Sequence, residues 1–175
     1  LGLAALVASL YAPLPAAAQT MCLTVNNVDI SGVTLFDAKT VRTWVKDFEG
    51  KCLGLPEFNK VLERVTLAYA DAGFIASRAY LPEQDLSDGS LQIAVVEGNL
   101  AAVQINGAVD PKWQSTIFPG LVGRPVQLRG VEQGLDQIRA LNNYSANMNI
   151  DAGAAVGESI LSVDAKSDRP WKVKY

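Results

Sequence analysis

Apolar and polar residues along this chain change period several times, and each change predicts an element. Leu23, Val25, Val28 and Ile30 fall in an alternating stretch and predict a first strand, ended by Ser31-Gly32. Thr34 with Asp37 after it predicts the capped start of a helix. Val41, Trp44, Val45 and Phe48 then recur at helical spacing, and Gly50 stops that helix. Pro56 suits the first turn of a second helix. Its apolar stripe is Phe58, Val61, Leu62, Val65, Ala68, Tyr69 and Ala72, with Gly73 as its cap. Ile75, Ser77, Ala79 and Leu81 alternate with Ala76, Arg78 and Tyr80. Both rows are mixed, which predicts an exposed strand. Pro82 places it at a sheet edge, because proline has no N–H to give to a ladder. After the turn signal Ser87-Asp88-Gly89 comes the nearly continuous apolar run from Leu91 to Val96, the pattern of a central strand.

The order strand, helix, helix, strand, strand then returns in weaker form. Val28-Asp29-Ile30-Ser31-Gly32 is echoed by Val103-Gln104-Ile105-Asn106-Gly107, and Gly50-Lys51 by Gly123-Arg124. Leu62-Glu63-Arg64-Val65 is echoed by Leu135-Asp136-Gln137-Ile138. Trp113, Ile117 and Phe118 predict a short helix. Leu128, Val131, Leu135, Ile138 and Leu141 line a longer one, in which Gly130 and Gly134 each cost about 1 kcal/mol of helix propensity. Asn147 to Ala154 makes a weak strand, Gly157-Glu158 a turn, and Ile160 to Ala165 a good strand. A period of roughly 75 residues is too long for a solenoid and suits two small domains in series. Trp44, Phe58, Leu62, Val65, Ile93 and Val95 are the expected core of the first. Val103, Ile105, Leu135, Ile138, Leu161 and Val163 are the expected core of the second, divided from the first near Gly98 to Leu100.

Ahead of the repeats, Leu1 to Leu10 is apolar, and Pro13, Pro15 and Ala16-Ala17-Ala18-Gln19 follow. This predicts an export signal over 1–18, cleaved before Gln19; the apolar run is too short to span a bilayer as a helix. Two cysteines behind such a signal, Cys22 and Cys52, predict a disulfide, with two separate buried thiols as the alternative. The formal net charge is −3 and no basic stripe exists, which argues against nucleic acid. There is no histidine, so the usual triads, most zinc sites and the commonest general base are missing. No Gly-x-Ser-x-Gly, P-loop or dinucleotide fingerprint occurs. No enzymatic activity, catalytic residue, metal site, cofactor or small-molecule ligand is therefore expected. At the other end Trp171, Val173 and Tyr175 alternate with Lys172 and Lys174. That row fits either a surface tail or one barrel strand with an aromatic near each membrane interface.

One segment carries a resemblance. Arg78-Ala79-Tyr80-Leu81-Pro82-Glu83-Gln84-Asp85-Leu86, a Ser-Asp-Gly turn and Leu91-Gln92-Ile93-Ala94-Val95-Val96-Glu97-Gly98 resemble the first POTRA domain of two-partner secretion transporters. These are the outer-membrane secretion/activation proteins of haemolysins, filamentous haemagglutinins and contact-dependent inhibition toxins. The cysteine before strand one and its partner beyond helix one are similar to the disulfide of many members. Gly123-Arg124-Pro125 and the Leu128 to Leu141 helix resemble the second POTRA domain, and Asp168-Arg169-Pro170-Trp171 the junction with the transmembrane barrel. The resemblance implies an α+β fold of two tandem POTRA domains, each β-α-α-β-β with a three-stranded sheet on two helices. The implied boundaries are 19–98 for the first, 99–169 for the second and 170–175 for the start of a β-barrel. It implies a periplasmic region, at a Gram-negative outer membrane, that takes an exported exoprotein and delivers it to the barrel. A POTRA-bearing assembly factor for outer-membrane proteins and a non-transport periplasmic scaffold are the alternatives. On that reading the partner is an extended chain, and an exposed strand edge suits it because backbone pairing demands no single sequence. The candidate edge is Ile75, Ser77, Arg78, Ala79, Tyr80 and Leu81, beside an expected apolar groove of Val61, Val65 and Tyr69.

Overall fold

The stretch from Leu23 to Ile30 divides into two strands, β1 (Leu23–Val25) and β2 (Asn27–Ser31). The computed structural model describes residues 22–107, 109–140 and 144–167. The predicted export signal, the Leu141 helix position and the Trp171 to Tyr175 row lie outside these described residues. At the break between the strands, the Asn26 and Asn27 N–H groups turn to the Gly89 carbonyl, at 2.7 and 3.4 Å. β1 is thereby released to pair antiparallel with β3 (Lys51–Leu53), a short ribbon that the hydrophobic pattern does not predict. The Cys22–Cys52 disulfide ties this ribbon, with a Cα–Cα distance of 5.3 Å, in the usual range for a bridge.

β2 instead runs parallel to β5 (Ser90–Val96), in the register Val28 opposite Leu91 and Ile30 opposite Ile93. Parallel neighbours need a long crossover, which α1 (Ala38–Val45) and α2 (Leu55–Asp71) provide. β4 (Arg78–Tyr80) then pairs antiparallel with β5. The sheet order is β2-β5-β4, so the apolar run from Leu91 to Val96 lies at the centre.

The second unit repeats this topology. It comprises β6 (Asn99–Gly107), α3 (Gln114–Ile117), α4 (Leu128–Ala140), β7 (Tyr144–Ala152) and β8 (Glu158–Ser167). Its sheet order is β6-β8-β7, with β6 parallel and β7 antiparallel to β8. The sequence echoes occupy equivalent places. Val103 stands opposite Leu161 as Val28 stands opposite Leu91. Gly32 and Gly107 both have positive φ, 79° and 102°, and a Cβ on either would overlap the central strand's carbonyl, at Val95 or Ala165. Gly50 and Gly123 both turn the chain so that their N–H groups reach the first strand, at the Val25 and Leu100 carbonyls, each at 2.7 Å.

Each unit encloses a core. Phe58, Val65, Ile93 and Val95 are buried in the first, with Trp44 and Leu62 half-buried at its margin. Val103, Leu135, Ile138, Leu161 and Val163 are buried in the second, with Ile105 half-buried against them. Trp113 is 53% exposed and belongs to neither core. The cores adjoin more closely than a bare linker would allow. Ile75 and Ala76 come from the first unit and pack on the second core. The Leu128 N–H donates to the Gly73 carbonyl and the Val126 N–H to the Gly98 carbonyl, both at 2.9 Å. A Cβ on Gly98 would lie 2.5 Å from the Ala76 carbonyl oxygen, so only glycine fits this crossing.

Several local expectations are corrected. Asp37, not Thr34, caps α1, accepting from the Thr40 N–H at 2.9 Å; Thr34 is drawn away to Glu97. The strand expected over 75–81 contains only Arg78–Tyr80. Before it the chain folds back on the end of α2, with Ile75 N–H to Gly73 at 3.1 Å and Ser77 N–H to Phe74 at 3.2 Å. The weak strand expected from Asn147 starts earlier, at Tyr144. The two glycines of α4 are explained by packing: a Cβ on Gly130 would lie 2.8 Å from a Leu121 methyl, and one on Gly134 would enter the Phe118 ring.

Two outcomes follow from this packing. Gly134→Ala improves helix propensity yet forces Phe118 out of a filled core. It should destabilise by about 1–3 kcal/mol in urea unfolding, whereas an unchanged or raised midpoint would mean that the ring moves freely. Reducing the disulfide, or the pair Cys22→Ser and Cys52→Ser, should cost about 2–4 kcal/mol by the same measurement.

Candidate partner-binding edges

The expected edge residues separate into three groups. Val61, Val65 and Tyr69 are fully buried, so they form core and not an open groove beside β4. Their helix turns them inward because the stripe of α2 faces the sheet. Ser77 is also buried, at 1% exposure, and its hydroxyl has no protein partner. Ile75 is half-buried in the turn against the second unit. Arg78, Tyr80 and Leu81 are exposed, while Ala79 between them is half-buried. The Arg78 guanidinium folds back on its own turn, donating to the Ile75 and Ser77 carbonyls at 2.9 and 2.8 Å.

The backbone of β4 is also partly occupied. The Ala79 N–H donates to the Thr66 hydroxyl of α2 at 3.1 Å. Beyond β4 and Pro82, the Gln84 side chain takes over the ladder: its amide donates to the Gln92 carbonyl at 2.8 Å and its oxygen accepts from the Gln92 N–H at 2.7 Å. The Tyr-Leu-Pro-x-Gln stretch therefore ends an edge strand and covers the neighbouring length of β5. In the second unit the equivalent contact has the opposite polarity. Ala79 faces Val95 and Ala146 faces Ala165, the two central-strand residues that lie against Gly32 and Gly107. There Arg139 of α4 donates to the Ala146 carbonyl, at 2.9 and 3.3 Å. No pattern in the sequence marks Thr66, Gln84 or Arg139 for these tasks, because each acts on backbone distant in the chain.

Glu97, in the Val-Glu-Gly end of β5, holds the first unit together at its exit. Its carboxylate accepts from the Thr34 N–H at 2.8 Å, the Thr34 hydroxyl, the Leu35 N–H at 3.0 Å and the Tyr69 hydroxyl at 2.7 Å. Burial works to raise its pKa, but the hydrogen bonds from Thr34, Tyr69 and Leu35 outweigh that and hold it below the ordinary range. Tyr69 is pushed up, first by burial and then by Glu97, so it stays a donor. Its ring sits at the centre of an aromatic cluster with Phe36, Trp44 and Phe74, at centroid distances of 4.9, 5.8 and 6.4 Å. Among the described residues no three His, Cys, Asp or Glu side chains come together to hold a metal ion.

Residues 23–98 match the family model described as POTRA domain, ShlB-type. The first unit is a POTRA domain of the ShlB type. The POTRA likeness extends through the second unit. The chain is 35% identical over 150 residues to the outer membrane transporter CdiB of Escherichia coli O6:K15:H31 (strain 536 / UPEC), covering 85% of this chain and 26% of that one. It is 29% identical over 162 residues to the hemolysin transporter protein ShlB of Serratia marcescens, covering 91% and 28%. A solved structure of CdiB from Escherichia coli superposes with a TM-score of 0.78 at 31% identity, over 89% of this chain and 29% of that one. The chain is thus a homologue of the transporters CdiB and ShlB over most of its own length, and it spans about a quarter of the length of the curated relatives it matches.

The POTRA exit carries a prediction. Glu97→Gln keeps the shape but removes the charge that four donors face, and should destabilise by about 1–3 kcal/mol at neutral pH. Because the folded carboxyl titrates below its unfolded value, its stabilisation is present above the unfolded pKa and is lost as pH falls through the folded one. The gap between wild type and variant should therefore close in acid. Thermal unfolding across pH 7 to 3 measures this, and a gap independent of pH would rule out the charge as its source.

Proposed function

We propose that this chain is the periplasmic POTRA region of an outer-membrane two-partner secretion transporter, and that it takes an exported exoprotein in extended form and passes it to a barrel pore. The observation that carries the reading is the pairing of two POTRA units, each ending in an antiparallel edge strand, with 35% identity to a CdiB transporter across both. Hemolysin and CdiB transporters among its relatives support a secreted protein as the partner. The chemistry agrees: an exported chain crossing the periplasm has unpaired backbone groups, and a sheet edge supplies partners for them. The proposed localisation is the Gram-negative outer membrane with these units in the periplasm, and Trp171 to Tyr175 would begin the barrel.

In the first unit the exposed side chains available to such a chain are Arg78, Tyr80 and Leu81. Leu81→Asp places a charge on the apolar end of β4 and should lower exported exoprotein by several-fold in cells carrying the intact transporter, with its level and melting unchanged. A folded Leu81→Asp transporter that exports at the normal rate would remove β4 from the capture path. A transporter deleted for both units that still exports would overturn the function itself.

A further inference from the structure

Two domains in series ordinarily swing on their linker unless the surface between them is well packed. Here only Glu97 and Gly98 connect β5 to β6, and both are engaged. The Glu97 carboxylate is held by Thr34, Leu35 and Tyr69. The Gly98 carbonyl accepts from the Val126 N–H at 2.9 Å. Beyond it, the Asn99 N–H donates to the Gly157 carbonyl at 2.7 Å and the Leu100 N–H to the Arg124 carbonyl at 2.8 Å. The chain thus passes from one fold to the next without a loose residue between them.

A second attachment comes from the helices. The Gly73 carbonyl, just past α2, accepts from the N–H of Leu128, the first residue of α4, at 2.9 Å. A Cβ on Gly73 would touch the Gln127 side chain, at 3.6 Å. Between helices and sheets, Ile75 and Ala76 pack on the second core. A Cβ on Gly98 would lie 2.5 Å from the Ala76 carbonyl oxygen and 2.6 Å from the Ala76 Cβ. On the sheet side, one on Gly157 would lie 3.1 Å from a Val96 methyl. A swing about residues 97–98 would therefore strip Ile75 and Ala76 of apolar cover and give up the Leu128 hydrogen bond. With contacts at Gly73, at Ala76–Gly98 and at Val96–Gly157, no single residue is left to act as a pivot.

We propose that this joint locks the two units into one rigid body, and that Gly98 and Ala76 are positioning residues for export: they fix where the first unit stands relative to the second, and the pair moves only as a whole. The role in export rests on the capture reading above. The lock itself rests on the contacts across the joint.

The test uses the intact transporter. Its two native cysteines are bonded to each other, so nitroxide labels can be placed on Lys60→Cys in α2 and Gln137→Cys in α4, both exposed positions. Double electron–electron resonance should give one narrow distance. Gly98→Ala drives a methyl into the Ala76 backbone and should shift or broaden that distance and lower export several-fold, with circular dichroism unchanged. Leu128→Pro removes the N–H that reaches Gly73, and proline suits the first turn of a helix; it should broaden the distance, whereas Leu128→Ala, which keeps the N–H, should not. Ala72→Cys and Gln127→Cys, exposed on either side of the helix junction, are then joined by a short bis-maleimide. The joined transporter should export at the rate of the unjoined one. A broad distance in the unaltered joint overturns the lock, as does a narrow, unmoved distance in both Gly98→Ala and Leu128→Pro. Loss of export on joining shows that the units must part during transport and overturns the proposal. Full export by a folded Gly98→Ala transporter with a displaced first unit overturns the positioning role. The distances need no exported chain, so failure of the lock and failure of the capture reading are read separately.

Discussion

Everything in each unit depends on one parallel pairing, of β2 with β5 in the first and of β6 with β8 in the second. That pairing cannot be made by a tight turn, so both helices are forced into the crossover, and the strand that follows them is left at the edge. It also brings the end of the first strand against the carbonyl of the central one. Gly32 and Gly107 are the two points where that contact is made, and neither has room for a side chain. The same geometry places β4 or β7 at one edge of its sheet, with β2 or β6 at the other. Where each edge strand lies is thus a by-product of how the sheet closes.

The residues that carry the family likeness are mostly joints. Gln84 substitutes a side chain for the missing strand beyond Pro82. Glu97 gathers Thr34, Leu35 and Tyr69 around the exit of the first POTRA unit. Gly98 lets the chain cross Ala76 and gives its carbonyl to Val126. A short motif can therefore be specific without touching any partner, because it sets where an edge ends and how the next unit is attached. The contact between units has a further consequence: the end of α2 accepts the first N–H of α4, so the carbonyl end of one helix meets the amide end of the next.

The two edges show how similar scaffolds can diverge in form. Both are touched by the second helix at equivalent residues, but Thr66 accepts at Ala79 whereas Arg139 donates at Ala146. β4 has three residues and is followed by Pro82 and Gln84, whereas β7 runs for nine. Blunting one edge protects it from unwanted pairing, and an edge left long is where pairing has room to occur.

The element order, the doubled plan, the central strands, the expected core residues and the cysteine pair were legible in the sequence, because period, turn residues and cysteine count are local signals. Tertiary structure decided what depends on partners far along the chain. β3 forms only because Asn26 turns to Gly89 and frees β1 to pair with it. The glycines of α4 look like a defect in a helix until Phe118 and Leu121 are seen against them. The expected edge shrank to Arg78–Tyr80 because Ile75 and Ala76 turn to pack on the second core. Val61, Val65 and Tyr69 face inward, into the first core. Hydrophobic period tells which side of a helix is apolar, but only the packed neighbour decides whether that side is a groove or a core.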